Sequence, residues 1–90
     1  MKQDKRYFVY PEAVFFDDKI DKKNNWTTIA YNFKKDSYIK IKQPGYKILR
    51  LIDENPGVSL PQLIKMSKEN KDYIIRFLQK LIDENIITEK

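Results

Sequence analysis

Ser37-Tyr38-Ile39-Lys40-Ile41-Lys42 alternates apolar and polar residues with the period of a β-strand. Ile39 and Ile41 share one face, and Tyr38, Lys40 and Lys42 share the other. The stretch follows the turn residues Lys34-Lys35-Asp36 and runs through Gln43-Pro44-Gly45 into a helical pattern. As the last strand before an all-helical half, it is expected at the edge of its sheet. An edge presents unpaired backbone N–H and C=O groups, which a protein either guards or uses to bind an extended peptide. Lysines on the strand discourage unwanted pairing, and the same lysines would attract an acidic peptide.

Upstream, Trp26 to Phe33 reads as the strand that returns antiparallel into 37–42. Thr27, Ile29, Tyr31 and Phe33 fall on one of its faces, with Thr28, Ala30 and Asn32 on the other. Ala13-Val14-Phe15-Phe16-Asp17 is a further strand. Asp18 to Asn25 is a polar stretch that reads as a loop. Its aspartates, with Asp17, lack the glycine-bearing ligand spacing of a calcium loop. Tyr7-Phe8-Val9-Tyr10 is β-prone but is stopped by Pro11, and residues 1–6 are charged and expected to fray. Three strands are therefore expected, over 13–17, 26–33 and 37–42.

Downstream, three helices are expected over 45–55, 60–67 and 71–84. Pro44 sits where a missing N–H costs nothing, and Ile48, Leu49, Leu51 and Ile52 form the apolar stripe of the first helix. Ser59 with Gln62 three residues on is a capping box, which Val58 and Leu63 can staple and Pro61 suits in the first turn. Asn70 can cap the third helix, whose stripe is Ile74, Phe77, Leu78, Leu81 and Ile82, widened by Ile75. Asn85 suits a left-handed C-cap, followed by Ile86-Ile87-Thr88 as an extended tail. Leu-Ile-Asp-Glu-Asn occurs at 51–55 and again at 81–85, which reads as one way of ending a helix used twice. The class is α+β, in one domain.

Composition narrows the chemistry. The 90 residues contain no cysteine and no histidine, which removes disulfides, thiol and imidazole catalysis and the usual zinc ligands. No apolar run approaches the roughly 18 residues of a membrane span, and no signal-like segment opens the chain, so a cytoplasmic protein is expected. Gly45 and Gly57 are the only glycines, so no phosphate loop exists. Adjacent carboxylates such as Asp53/Glu54 and Asp83/Glu84 fall at helix ends open to water, where little perturbs their acidity. A non-catalytic binding domain is expected, without metal or cofactor. The net charge of +5 is concentrated early, with ten Lys/Arg against six Asp/Glu in residues 1–45 and eight against seven in residues 46–90.

Residues 46–90 alone resemble a winged-helix DNA-binding unit, which makes a transcriptional regulator the alternative reading. Against it, the wing hairpin is missing, and the third helix balances Lys71, Arg76 and Lys80 with Asp72, Asp83 and Glu84. Taken over residues 10–88, the chain resembles the recognition elements of ribosomally synthesised, post-translationally modified peptides (RiPPs), whose type member is the PqqD-like peptide chaperone. The likeness rests on the Pro11 lead-in, the hairpin Thr27–Lys42, the first helix from Tyr46 to Ile52, then Val58–Ile64 and Phe77–Leu81. The polar 18–25 stretch departs from that pattern.

This resemblance implies a three-stranded antiparallel sheet followed by a three-helix, winged-helix-like bundle. It also implies that a precursor's leader peptide adds beside the third strand, in a cleft shared with the third helix. Main-chain bonds would come from Tyr38, Ile39, Lys40, Ile41 and Lys42. On the helix, Tyr73, Phe77 and Lys80 follow one another at i, i+4 and i+7 with Arg76 beside them. An aromatic pair rimmed by cations suits a peptide mixing an apolar anchor with acidic residues. The other flank, Ile75, Gln79 and Ile82, is the competing choice, and Phe77 may equally be read as core. The implied partner is a modifying enzyme, often a radical-SAM maturase or else a cyclodehydratase, whose iron–sulfur chemistry must lie outside this cysteine-free chain. No nucleic acid or membrane partner is implied. Self-pairing through the same edge would give a homodimer, and a generic interaction domain is a third reading. A proline at Ile41 is expected to remove an edge donor and weaken capture.

Overall fold

A computed structural model describes residues 5–17 and 27–90. The polar 18–25 stretch, the strand start at Trp26 and residues 1–4 lie outside the described residues. In order, the elements are β1 (Arg6–Val9), β2 (Ala13–Asp17), β3 (Thr27–Asn32), β4 (Ser37–Lys42), α1 (Gly45–Glu54), β5 (Val58–Ser59), α2 (Leu60–Ser67), α3 (Lys71–Asp83) and β6 (Ile87–Glu89). The class is α+β, with three helices and two three-stranded antiparallel sheets, ordered β2-β3-β4 and β5-β1-β6.

The second sheet corrects the expectation of a single sheet and, at Arg6, that of a frayed start; residues 1–4 of that stretch lie outside the described residues. β1 begins at Arg6 and is the central strand, bonded to β5 and β6 from far along the chain. Arg6 exchanges both backbone bonds with Lys90 at 2.8 Å, and Tyr10 N–H reaches Ile86 C=O at 3.0 Å. Neither partner has a hairpin turn to β1, so its pairing leaves no local signal in the sequence. The 86–88 tail is thus a strand end, with Ile86 and Ile87 fully buried.

The helices start where local chemistry directs. Ser59 N–H donates to Gln62 Oε1 at 2.9 Å while Ser59 Oγ accepts from Gln62 N–H, closing the capping box. Asn70 Oδ1 accepts from the N–H groups of Asp72 and Tyr73 at 2.8 and 3.2 Å. The two Leu-Ile-Asp-Glu-Asn copies end their helices differently. Asn85 is left-handed at φ 61°, whereas Asn55 is extended at φ −130° and bonds Leu51 C=O with both its backbone and its side-chain N–H. Pro56 follows Asn55, and a residue before proline is held out of the helical region.

β3 turns its less apolar face inward. Thr28, Ala30 and Asn32 are completely buried, while Phe33 lies 56% exposed. Asn32 explains the choice. Its Nδ2 donates to Asn85 C=O at 2.6 Å, and its Oδ1 accepts from Lys34 and Lys35 N–H at 3.0 Å each. Ser37 Oγ adds a bond to Glu84 C=O at 2.6 Å. Carbonyls that a helix end leaves without partners are therefore satisfied by the β3–β4 hairpin. That bonding sets α3 beside β4.

Candidate functional site: a groove between β4 and α3

Among the described residues β4 pairs with β3 alone and forms an edge of its sheet. Which of its backbone groups are free follows from one bond. Phe33 N–H donates to Glu12 C=O, and these two residues lie directly opposite in the β2–β3 register. Pairs 12–33, 14–31 and 16–29 are therefore the hydrogen-bonded ones, and Thr28, Ala30 and Asn32 direct their groups toward β4. Their partners Ile41, Ile39 and Ser37 are consumed in the ladder. Tyr38, Lys40 and Lys42 thus point their N–H and C=O groups out of the sheet.

Those of Lys40 and Lys42 open onto a groove of about 740 Å³, lined by Ile39–Lys42, Gln43 and Pro44 on one side and Tyr73, Arg76, Phe77 and Lys80 on the other. Its floor is apolar. Ile41 is 2% exposed and Phe77 8%, so Phe77 is both core and floor. Tyr73 stacks on Phe77, with ring centroids 6.1 Å apart and planes within 4°. Gly45 lies beneath, where a Cβ would come within 2.8 Å of the Phe77 ring and 3.1 Å of Ile41.

The rim is cationic. Lys40 and Lys42 on the strand side, and Arg76 and Lys80 on the helix side, are exposed. Among the described residues none of the four has an ion-pair partner, and no carboxylate lines the groove. Burial, and after it the negative charge of Glu69, pushes the Tyr73 phenol up from its ordinary value, so that side chain is a neutral hydroxyl at the groove edge. The arrangement can bond an extended backbone, seat an apolar side chain and balance carboxylates.

Of the nine residues singled out from the sequence, the fold brings eight together here. Tyr38 is not a lining residue. Its side chain is 60% exposed on the outer face, beside Tyr31, although its backbone faces the free edge. On α3 the competing flank lies elsewhere, with Ile75 43% exposed and Gln79 bonded to Asp83 at 2.9 Å. Gln43, Pro44 and the supporting Gly45 were not anticipated, and only their position directly after an edge strand pointed to them. Among the described residues no helix is long and apolar enough to cross a membrane. No family model, curated protein or solved structure matches the chain.

Proposed function

We propose that the chain captures the leader region of a ribosomally made precursor peptide, which adds as a strand to β4 and presses alternate side chains against α3. One observation carries this reading: the outward backbone groups of Lys40 and Lys42 open onto an apolar, carboxylate-free groove rimmed by four cations. The chain then acts as a non-catalytic cytoplasmic subunit or domain of the recognition-element type, presenting the peptide to a modifying enzyme such as a radical-SAM maturase. The order α1, β5, α2, α3, β6 supports a winged-helix-like plan, with β1 filling the place between β5 and β6 where a wing strand would pair.

The test is an amide NMR titration of the labelled protein with leader peptides encoded beside its gene, and separately with duplex DNA. Saturable shifts at residues 38–44 and along 73–80 with one peptide are expected. Lys40→Pro removes an outward N–H without touching the ladder, and should weaken that peptide at least about tenfold, or some 1.4 kcal/mol. Shifts with DNA alone, centred on α3 and collapsing with salt, would instead support the transcriptional-regulator reading. Unchanged peptide affinity in a folded Lys40→Pro protein places the binding surface away from β4.

A further inference from the structure

The sheet β2-β3-β4 has a second edge. Among the described residues β2 pairs with β3 alone. The parity that frees Tyr38, Lys40 and Lys42 on β4 leaves Phe15 facing outward from β2 with both its backbone groups. Ala13 offers only its C=O, because its N–H is spent on Tyr10 C=O at 3.0 Å. Proteins guard such edges with lysine, yet β2, Ala13-Val14-Phe15-Phe16-Asp17, carries none. Val14 and Phe16 on its outer face are 41% and 49% exposed.

Beside this edge lies a smaller groove of about 240 Å³ between β2 and α1, lined by Phe15, Phe16, Tyr46, Leu49, Arg50, Asp53 and Glu54. It carries both signs of charge. A surface that meets its own image across a two-fold axis must tolerate every charge it bears. The β4 groove, with four cations and no carboxylate, fails that condition. The β2 groove comes nearer to meeting it, because the Arg50 guanidinium is bonded to Glu54 at 2.8 Å within each copy and Asp53 alone is left to be balanced.

We propose that a second copy of this chain adds to the β2 edge, antiparallel, with Phe15 opposite Phe15 on the two-fold axis. In that register Val14 of each copy faces Phe16 of the other, and the two sheets join into one of six strands. The outward Phe15 groups exchange two bonds, and each Ala13 C=O accepts from Asp17 N–H of the other copy. The lysines of β4 stay two strand spacings, ~10 Å, behind the seam in each copy, so they do not oppose the pairing. This places self-pairing at β2 instead of at β4, where it was expected. It is independent of the peptide reading, since β4 remains open in the dimer.

Sedimentation equilibrium of the whole chain from ~10 μM to ~1 mM, a range that detects weak self-association, tests it. The expected result is reversible dimerisation. Phe15→Pro and Phe16→Lys should each weaken it at least tenfold, while Lys40→Pro leaves it unchanged, with circular dichroism checking each fold. Phe16→Lys changes a half-exposed side chain, so it decides the matter if Phe15→Pro does not fold. A monomer throughout the range, a dimer indifferent to Phe16→Lys, or one lost with Lys40→Pro would overturn the proposal.

Discussion

The two edges of the β2-β3-β4 sheet offer an incoming strand the same backbone chemistry and opposite side-chain chemistry. β4 has two lysines of its own, two more cations across the groove on α3, and a stacked aromatic pair on that helix. β2 has no lysine and faces a helix, α1, that presents one arginine and two carboxylates. Backbone pairing supplies attachment at both. Under the two proposals, what attaches is decided by charge, because four cations without a carboxylate favour a strand rich in carboxylates and oppose a second copy of themselves. An edge can thus be closed to self-association and open to a ligand by the same residues.

The sharpest way to break this comparison is through the ladder itself. Ile41 is buried and its N–H is turned toward β3, so Ile41→Pro removes a sheet bond and most of a core side chain. A loss of about 3–5 kcal/mol is expected from the lost burial and the lost hydrogen bond together. Lys40→Pro, one residue away with its N–H outward, should cost less than about 1 kcal/mol. Urea unfolding of the pair measures both. Equal costs would mean that the alternation assigned to β4 is wrong, and the corresponding assignment at Phe15 would fall with it.

That alternation also marks how far the sequence could be read. Period-two patterning places Ile39 and Ile41 on one face, but it cannot say which backbone groups a neighbouring strand uses. An expectation that Ile41→Pro removes an edge donor therefore named the wrong residue. Ser59 with Gln62, Asn70 and Asn85 were legible because capping is settled within three or four residues. β1 and its partners were not, because their pairing joins Arg6–Val9 to Val58–Ser59 and Ile87–Glu89, with no turn between them to mark it. The inward turn of Thr28, Ala30 and Asn32 was likewise hidden. Hydrophobicity favours the opposite face, and only the bonds from Asn32 to Asn85, Lys34 and Lys35 reverse the choice. At the groove, helical spacing gathered Tyr73, Arg76, Phe77 and Lys80, whereas Gln43 and Pro44 carry no pattern of their own.

A smaller change separates the two edges from a position outside both strands. A Cβ at Gly45 would lie 2.8 Å from Cε1 and 2.9 Å from Cζ of Phe77, so Gly45→Ala must displace that ring. Overpacking costs about 1–3 kcal/mol, and alanine in a helix returns roughly 0.5–1 kcal/mol relative to glycine. The net loss in a thermal or urea melt should be about 0.5–2 kcal/mol. Calorimetric titration should show peptide affinity reduced, because the floor of the β4 groove has moved, while sedimentation shows self-association unaltered. A fall in both would mean that the two edges are coupled through the sheet and do not act separately.

The smallest effect concerns the Tyr73 hydroxyl. Burial, followed by Glu69, raises its pKa on folding, so the folded chain holds this proton more tightly than the unfolded one. The resulting stabilisation is complete below the ordinary phenol value of about 10 and drains away as pH climbs from there through the raised value. Tyr73→Phe keeps a ring to stack on Phe77 and has no proton to lose. Urea melts at about pH 9 and pH 11, on either side of the ordinary phenol value, should show wild type losing more stability than the variant, with lysine titration common to both. Over the same interval ionised Tyr73 places a negative charge inside the cationic groove. Affinity for an acidic peptide should therefore fall further in wild type than in Tyr73→Phe. Tyr73 does not line the β2 groove, so the difference between the two proteins should be absent from self-association. If the variant and wild type instead diverge in sedimentation as well, Tyr73 acts through the fold as a whole, and the separation of the two edges by charge alone does not hold.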